Sequence, residues 1–274
     1  MSEISDLSKL CIHTITTKPW SLQQACEKYS AKGIKGISVW RETLETQSLA
    51  DSKKMLDDNG MVPVSLIRGG FFTGSEQDRQ EATDINKAAI DEAAAIGTPL
   101  IVLVCGATPG QSVKENITQI EAGIEAVLPY AEAANIKLGI EPLHPMYGDT
   151  RSAIVTMKMA NDMAERINSD FLGVTVDVYH LWWELELEQE IRRCGKNDHL
   201  FSFHICDWKL DMTDMLQDRG LMGEGIINIK EIRQWVENTG FSGYNEVEIF
   251  SKIYWAMDQD DYLEMIIEAY LNKS

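Results

Sequence analysis

The sequence is short of positive charge, of histidine and of long apolar runs, and each shortage narrows what the protein does. With 25 Lys and Arg against 43 Asp and Glu, its formal net charge is -18. Nucleic-acid affinity comes largely from cations that displace condensed counterions, so non-specific DNA or RNA binding is disfavoured. A local basic pocket for one small anion stays open, because net charge governs steering more than the chemistry of a buried site. No run approaches the roughly 18 apolar residues of a membrane span, and the opening MSEISDLSKL lacks the basic start and apolar stretch of a signal sequence. Cys11, Cys26, Cys105, Cys194 and Cys206 form no C-x-x-C pair and are odd in number, which argues against a disulfide framework. A cytoplasmic enzyme with no membrane or nucleic-acid partner is the expectation.

What is present is a repeated alternation. The 274 residues are 44% hydrophobic and 25% charged, enough to bury a large core. Eight short apolar runs lie near residues 8 to 15 (SKLCIHTI), 34 to 40 (IKGISVW), 61 to 67 (MVPVSLI), 99 to 105 (PLIVLVC), 136 to 141 (IKLGIE), 171 to 178 (FLGVTVDV), 200 to 206 (LFSFHIC) and 244 to 250 (YNEVEIF). Amphipathic stretches such as 21 to 32, 81 to 96, 113 to 135 and 229 to 238 separate them. Strands joined by helical crossovers are parallel and covered on both faces, which explains their continuous apolar character. Eight such units predict an α/β fold closed as a (β/α)8 TIM barrel, a single domain over residues 1 to 274. An open doubly wound sheet is the rival, but no G-x-G-x-x-G follows the first strand. Gly33, Gly60 and Gly97 are expected to end helices at positive φ, and Gly139 and Gly173 to serve packing.

In a barrel of this kind the C-terminal strand ends converge on the active site. Glu141 in GIEPLHP, Asp177 in VTVDVYH, His204 in FSFHICDW and Glu248 in NEVEIF each fall there, at separations of 36, 27 and 44 residues. Three carboxylates in apolar surroundings would cost several kcal/mol and repel one another unless a cation sits among them. The set is oxygen-rich and hard, so one divalent ion is expected, with Mn²⁺ or Mg²⁺ favoured and Co²⁺ or Zn²⁺ as alternatives.

At IEPLHPMY (140 to 147), VDVYHLWW (176 to 183), FHICDW (203 to 208), GEG (223 to 225) and EVEIFSKIYW (246 to 255), the chain resembles the xylose isomerase-like barrels. That family includes sugar-phosphate isomerases and epimerases, ketose 3-epimerases and inosose dehydratase. The resemblance implies one catalytic metal held by Glu141, Asp177, His204 and Glu248. The two glutamates are then also placed to exchange substrate protons. It further implies substrate contacts from His180 and from Arg219. Glu246 competes with Glu248, since residues two apart on a strand face one side; Glu248 is preferred as nearer the strand's end. Related multi-zinc endonucleases use many histidines, whereas this chain has five in all.

The implied chemistry is metal-dependent isomerisation or epimerisation of a sugar or sugar phosphate, through an enediolate and glutamate-mediated proton transfer. Loss of a β-hydroxyl, as in an inosose-type dehydratase (a lyase), is the alternative, and a non-catalytic sugar-binding barrel is the second. The partner expected is a small polyhydroxylated carbonyl compound, with homo-oligomerisation a further expectation. His13, at the end of the first strand, is read either as a hydrogen-bonded core residue or as a pocket residue. His144 orients Glu141, contacts substrate or serves its loop. Trp40, Trp182, Trp183, Trp208 and Trp255 are candidate sugar-stacking walls or packing residues. Asp207 and Lys209 are read either as substrate contacts or, by default, as facing solvent, and Glu224 is expected to shape the GEG turn. Arg68, Arg219 and Lys252 are the cations expected near the mouth.

Overall fold

The computed structural model describes residues 3–274, and its eight strands follow the eight apolar runs. They are β1 (Leu10–His13), β2 (Gly36–Trp40), β3 (Val62–Gly70), β4 (Leu100–Val104), β5 (Lys137–Ile140), β6 (Leu172–Asp177), β7 (Leu200–Ile205) and β8 (Asn245–Val247). All neighbours pair in parallel, and β1 pairs with both β2 and β8, which closes the barrel in sequence order. The fold is the expected (β/α)8 barrel. An open sheet is excluded by that last pairing, which leaves no unpaired edge.

Among the described residues, ten α-helices connect and cover the strands: α1 (Leu22–Ala31), α2 (Leu49–Asp58), α3 (Glu76–Ile96), α4 (Val113–Ala134), α5 (Met157–Ile167), α6 (Val178–Leu181), α7 (Leu187–Lys196), α8 (Ile229–Asn238), α9 (Lys252–Trp255) and α10 (Gln259–Lys273). Helix α3 begins five residues before its expected start at Glu81. The reason is local: Ser75 and Asp78 form a reciprocal capping box, which satisfies two backbone N–H groups that have no partner inside the helix. No helix among the described residues is long and apolar enough to cross a membrane. The five cysteines are buried and unpaired, in line with the absence of a disulfide framework.

The glycines fall as expected. Gly33, Gly60 and Gly97 all take positive φ where helices give way to strands. Gly139 and Gly173 lie opposite each other in the β5–β6 register. A Cβ on Gly173 would come 2.4 Å from the His199 carbonyl oxygen, so this glycine answers a packing need. These close approaches bring β5, β6 and β7 together on the side of the barrel that carries Glu141, Asp177 and His204.

Candidate metal centre

Strand geometry sets the site. Asp177 is the last residue of β6 and pairs in register with His204 of β7, while Glu141 and Glu248 directly follow β5 and β8. All four are at least 95% buried. One ligand atom from each lies within 4.8 Å of the others. The set joins four consecutive strands at the end where barrel active sites form.

Several of these atoms have no hydrogen-bond partner. Glu141 Oε1, Asp177 Oδ2 and His204 Nδ1 are buried and unsatisfied, although Glu141 Oε1 and His204 Nδ1 stand only 3.2 Å apart. Unpartnered buried polar atoms are costly and rare in folded proteins. Here they gather at one place, with the hard donor set a divalent ion takes. The residues therefore fit a metal.

The electrostatics point the same way. Burial, only partly offset by Arg219, pushes the Asp177 carboxyl up to about 7. Burial works against a charged His204, yet Glu141, Glu246 and Glu248 outweigh it and raise the imidazole to about 10. Without a cation, the cluster holds protons to offset its negative charge. A divalent ion would supply that charge instead and free His204 to act as a neutral ligand.

Glu248 is held from two sides. His13 Nδ1 lies 3.1 Å from Oε1, and Arg219 Nη1 lies 2.9 Å from Oε2. Burial alone would raise the Glu248 pKa, but His13 and Arg219 take it well below the ordinary carboxylate value. The Arg219 guanidinium is sandwiched between the rings of Tyr179, at 4.3 Å, and Phe250, at 4.8 Å. It also reaches 3.6 Å from Asp177 Oδ2, so one buried cation braces two ligand candidates.

Glu246 occupies the layer beneath and is already satisfied. Its Oε2 accepts from Ser38 at 2.6 Å and Ser65 at 3.0 Å and lies 3.2 Å from His13 Nε2, while Oε1 accepts from Ser202. These contacts hold its pKa at about 2 against the upward push of burial. The separation of roles within one strand follows from this: Glu248 faces the cluster, and Glu246 supports His13 and lies 3.7 Å from His204 Nε2.

The sequence pattern of the xylose isomerase-like TIM barrel matches residues 26–269. The chain belongs to that family. A curated inosose isomerase of Bacillus velezensis is 24% identical over 271 residues, covering 95% of each chain. A crystal structure of a protein from Sinorhizobium meliloti 1021 is 38% identical, with a TM-score of 0.94 over 98% of this chain and 99% of that one. The 1.8 Å crystal structure of the IOLI protein with a binding zinc atom is 20% identical, with a TM-score of 0.85 over 96% of this chain and 97% of that one.

In this xylose isomerase-like barrel the remaining expected residues divide into pocket and support. His180, Arg219 and Trp40 line the pocket with Glu141 and Glu248. The His144 backbone N–H donates to His180 Nδ1 at 3.2 Å, which makes Nδ1 an acceptor and leaves the proton of the neutral ring on Nε2. His13 proves to be a bridge between Glu246 and Glu248, with its ring edge-on to His204 at 4.6 Å. The His144 ring is turned away, against Trp183 and Trp208, and its Nδ1 accepts from Met146 N–H, so it reaches the pocket only through its backbone.

Trp182 and Trp208 pack with Tyr179 in an aromatic cluster. Trp183 and Trp255 donate to the carbonyls of His180 and Ile15. Trp40 alone of the five lines the pocket, beside Phe250 at 5.1 Å. Lys252 is exposed and bonded to Asp214 rather than set in the mouth. Asp207 corrects the expectation of solvent exposure: it is fully buried, accepting backbone N–H bonds from Trp208, Gly223 and Ile227. Lys209 is turned to Asp218. Glu224 does shape the turn, accepting from Leu221 N–H and the Tyr254 hydroxyl.

Sequence reasoning missed Tyr147, Arg151 and Phe250 on the pocket wall. It also missed Ser38, Ser65 and Ser202 beneath Glu246. The serines had a readable signal, since Ser38 and Ser202 are each the only hydroxyl in an apolar strand. Arg151 sits in a loop and had none.

Proposed function

We propose that this chain is a divalent-metal-dependent isomerase or epimerase of a small polyhydroxylated carbonyl compound. The observation that carries the reading is the meeting of Glu141, Asp177, His204 and Glu248 within 4.8 Å, from four strands, with unsatisfied ligand atoms among them. Similarity to curated inosose isomerases along nearly the whole chain supports the substrate class. The donor set favours Mn²⁺ or Mg²⁺, and the zinc in the IOLI structure keeps Zn²⁺ in view.

The metal would polarise a substrate carbonyl and offset the negative charge that grows on its oxygen as the neighbouring C–H loses a proton. Glu248, which lines the pocket and is kept ionised and oriented by His13 and Arg219, accepts that proton. Glu141, also on the pocket wall, serves in its protonated form as the acid that makes the return transfer, and exchange with solvent then resets both carboxyls. Return to the same carbon from the opposite face inverts it, and return to the adjacent carbon moves the carbonyl. His180 Nε2–H is positioned to donate to a substrate oxygen, while Trp40 and Phe250 offer an apolar wall to the C–H face of a polyol.

The test combines metal analysis with proton exchange. After metal loading and dialysis, the protein should retain one divalent ion per chain. In D₂O it should then place deuterium at a single carbon of a ketose or inosose, and a chelator should abolish the exchange. No retained metal, or exchange that survives chelation, overturns the reading. A product lighter by one water assigns the chain to dehydration instead.

A further inference from the structure

The chain has nine arginines, and seven of them have their guanidinium groups committed. Arg41, Arg166, Arg192, Arg193, Arg219 and Arg233 are ion-paired, and Arg79 donates to the Gly74 carbonyl. Among the described residues, the side chains of Arg68 and Arg151 make neither an ion pair nor a hydrogen bond. Both are only partly exposed; Arg151 lines the candidate active site, and Arg68 stands behind its wall residue Trp40, at the edge of a neighbouring cavity. In a protein with 43 acidic residues, two half-buried arginines without an acidic partner are conspicuous.

Each is held in place without being neutralised. The Arg68 guanidinium lies 4.8 Å from the Phe71 ring centre and 6.0 Å from that of Trp40, a wall residue of the pocket. Arg151 lines the same pocket and lies 5.3 Å from the Tyr147 ring centre. Its backbone is fixed by a bond from Gly106 N–H to its carbonyl oxygen, so the loop is tied to the end of β4. Gly106, which holds the Arg151 carbonyl, packs against the backbone of Phe71, three residues after Arg68, so the two side chains leave adjoining segments; burial first, and Arg151 next, lower the Arg68 pKa, while Glu42, Glu141 and Glu248 act in the opposite direction. Arg219, the other cation of the pocket, is already engaged by Glu248. Two mutually repelling, partly desolvated guanidinium groups with free donors are suited to an anion between them.

We propose that Arg68 and Arg151 form an anion subsite at the pocket rim, and that the substrate carries a phosphate or carboxylate at the end remote from Glu141, Asp177, His204 and Glu248. This rests on the carbonyl-isomerase reading and narrows it: an uncharged cyclitol ketone would leave the subsite unused.

Calorimetric titration of the full chain at low ionic strength, with and without chelator, tests the subsite using three six-carbon ketoses. D-Fructose is uncharged, D-fructose 6-phosphate carries a phosphate and 5-keto-D-gluconate a carboxylate. At least one anionic probe should bind at least tenfold more tightly than fructose, and which one does so identifies the anion. Arg68→Gln and Arg151→Gln should each reduce that preference about tenfold, and Arg151→Lys should keep most of it. Metal content and circular dichroism are measured alongside to verify that each variant is folded. Anionic probes that bind no tighter than fructose, or a preference untouched by both Gln variants, overturn the inference. If the protein retains no metal, the carbonyl-isomerase reading fails by itself, while the anion preference is still decided in the chelated arm.

Discussion

His13 Nδ1 stands 3.1 Å from Glu248 Oε1, and the opposite nitrogen of the same ring stands 3.2 Å from Glu246 Oε2. One imidazole thus links a glutamate facing the ligand cluster to a glutamate in the layer below. Through that link, the serine hydroxyls around Glu246 help set the orientation of Glu248. Support of this kind behind a metal ligand fixes its orientation and tunes its affinity.

Glu246→Gln should therefore weaken divalent-metal binding about 10- to 100-fold without removing any of the four ligand candidates. Competition against a fluorescent chelator measures this. An unchanged affinity would mean that Glu246 serves only the packing of the barrel interior.

Metal loading should stabilise the fold, since the ion would bind a site that the unfolded chain does not possess. At a concentration a hundredfold above Kd the gain is about 2.7 kcal/mol, read as a rise in Tm of several degrees that saturates with metal. Replacing Asp177 with Asn should reduce the rise, because one of the four buried ligand candidates is lost.

Glu184 gives a pH-dependent prediction away from the cluster. Burial pushes its carboxyl up to about 7, although Oε1 accepts a bond from Met157 N–H at 2.8 Å. With a folded pKa above the unfolded one, the folded state binds the extra proton, so stability declines as pH rises from about 4.5 towards 7. Glu184→Gln keeps an acceptor for Met157 and removes the titration. Its Tm should exceed that of the parent at pH 8, and the difference should shrink at pH 5. A constant difference across that range would show that the charge is not the cause.

Gly70→Ala should destabilise the protein by roughly 3 kcal/mol or more. Gly70 has φ of +108, and a Cβ there would sit 2.0 Å from the Val104 carbonyl oxygen. That carbonyl also accepts from Phe71 N–H at 2.8 Å, so the clash would disturb the bend that follows Arg68. Denaturant unfolding measures the loss, and a stability equal to the parent's would show that the bend adapts.

The barrel was legible because each strand announces itself by continuous apolar residues and each crossover by helical spacing. Glu141, Asp177, His204 and Glu248 were legible for the same reason, as ionisable residues at equivalent ends of apolar strands. Even β8 could be placed, although only Asn245–Val247 make up the strand and Glu248 lies just beyond it. Asp207 was not legible. Its burial depends on a loop that returns from Gly223 and Ile227, and local polarity suggests the opposite. The proximity of Arg68 to Arg151 was hidden for a similar reason, since it depends on β3 and β5 both pairing with β4, which brings Arg68 and the loop after β5 to neighbouring places.

The route of the chain between β7 and α8 has a further consequence. Gly220 exchanges backbone bonds with Asp207 after β7, and Arg219 N–H bonds to the Phe250 carbonyl oxygen after β8. Arg219 is thereby clasped to the framework at the base of the excursion formed by residues 208 to 218. Insertions or exchanges at the tip of that excursion can remodel the entrance while the buried guanidinium keeps its station, so ligand choice and reaction chemistry are free to diverge separately.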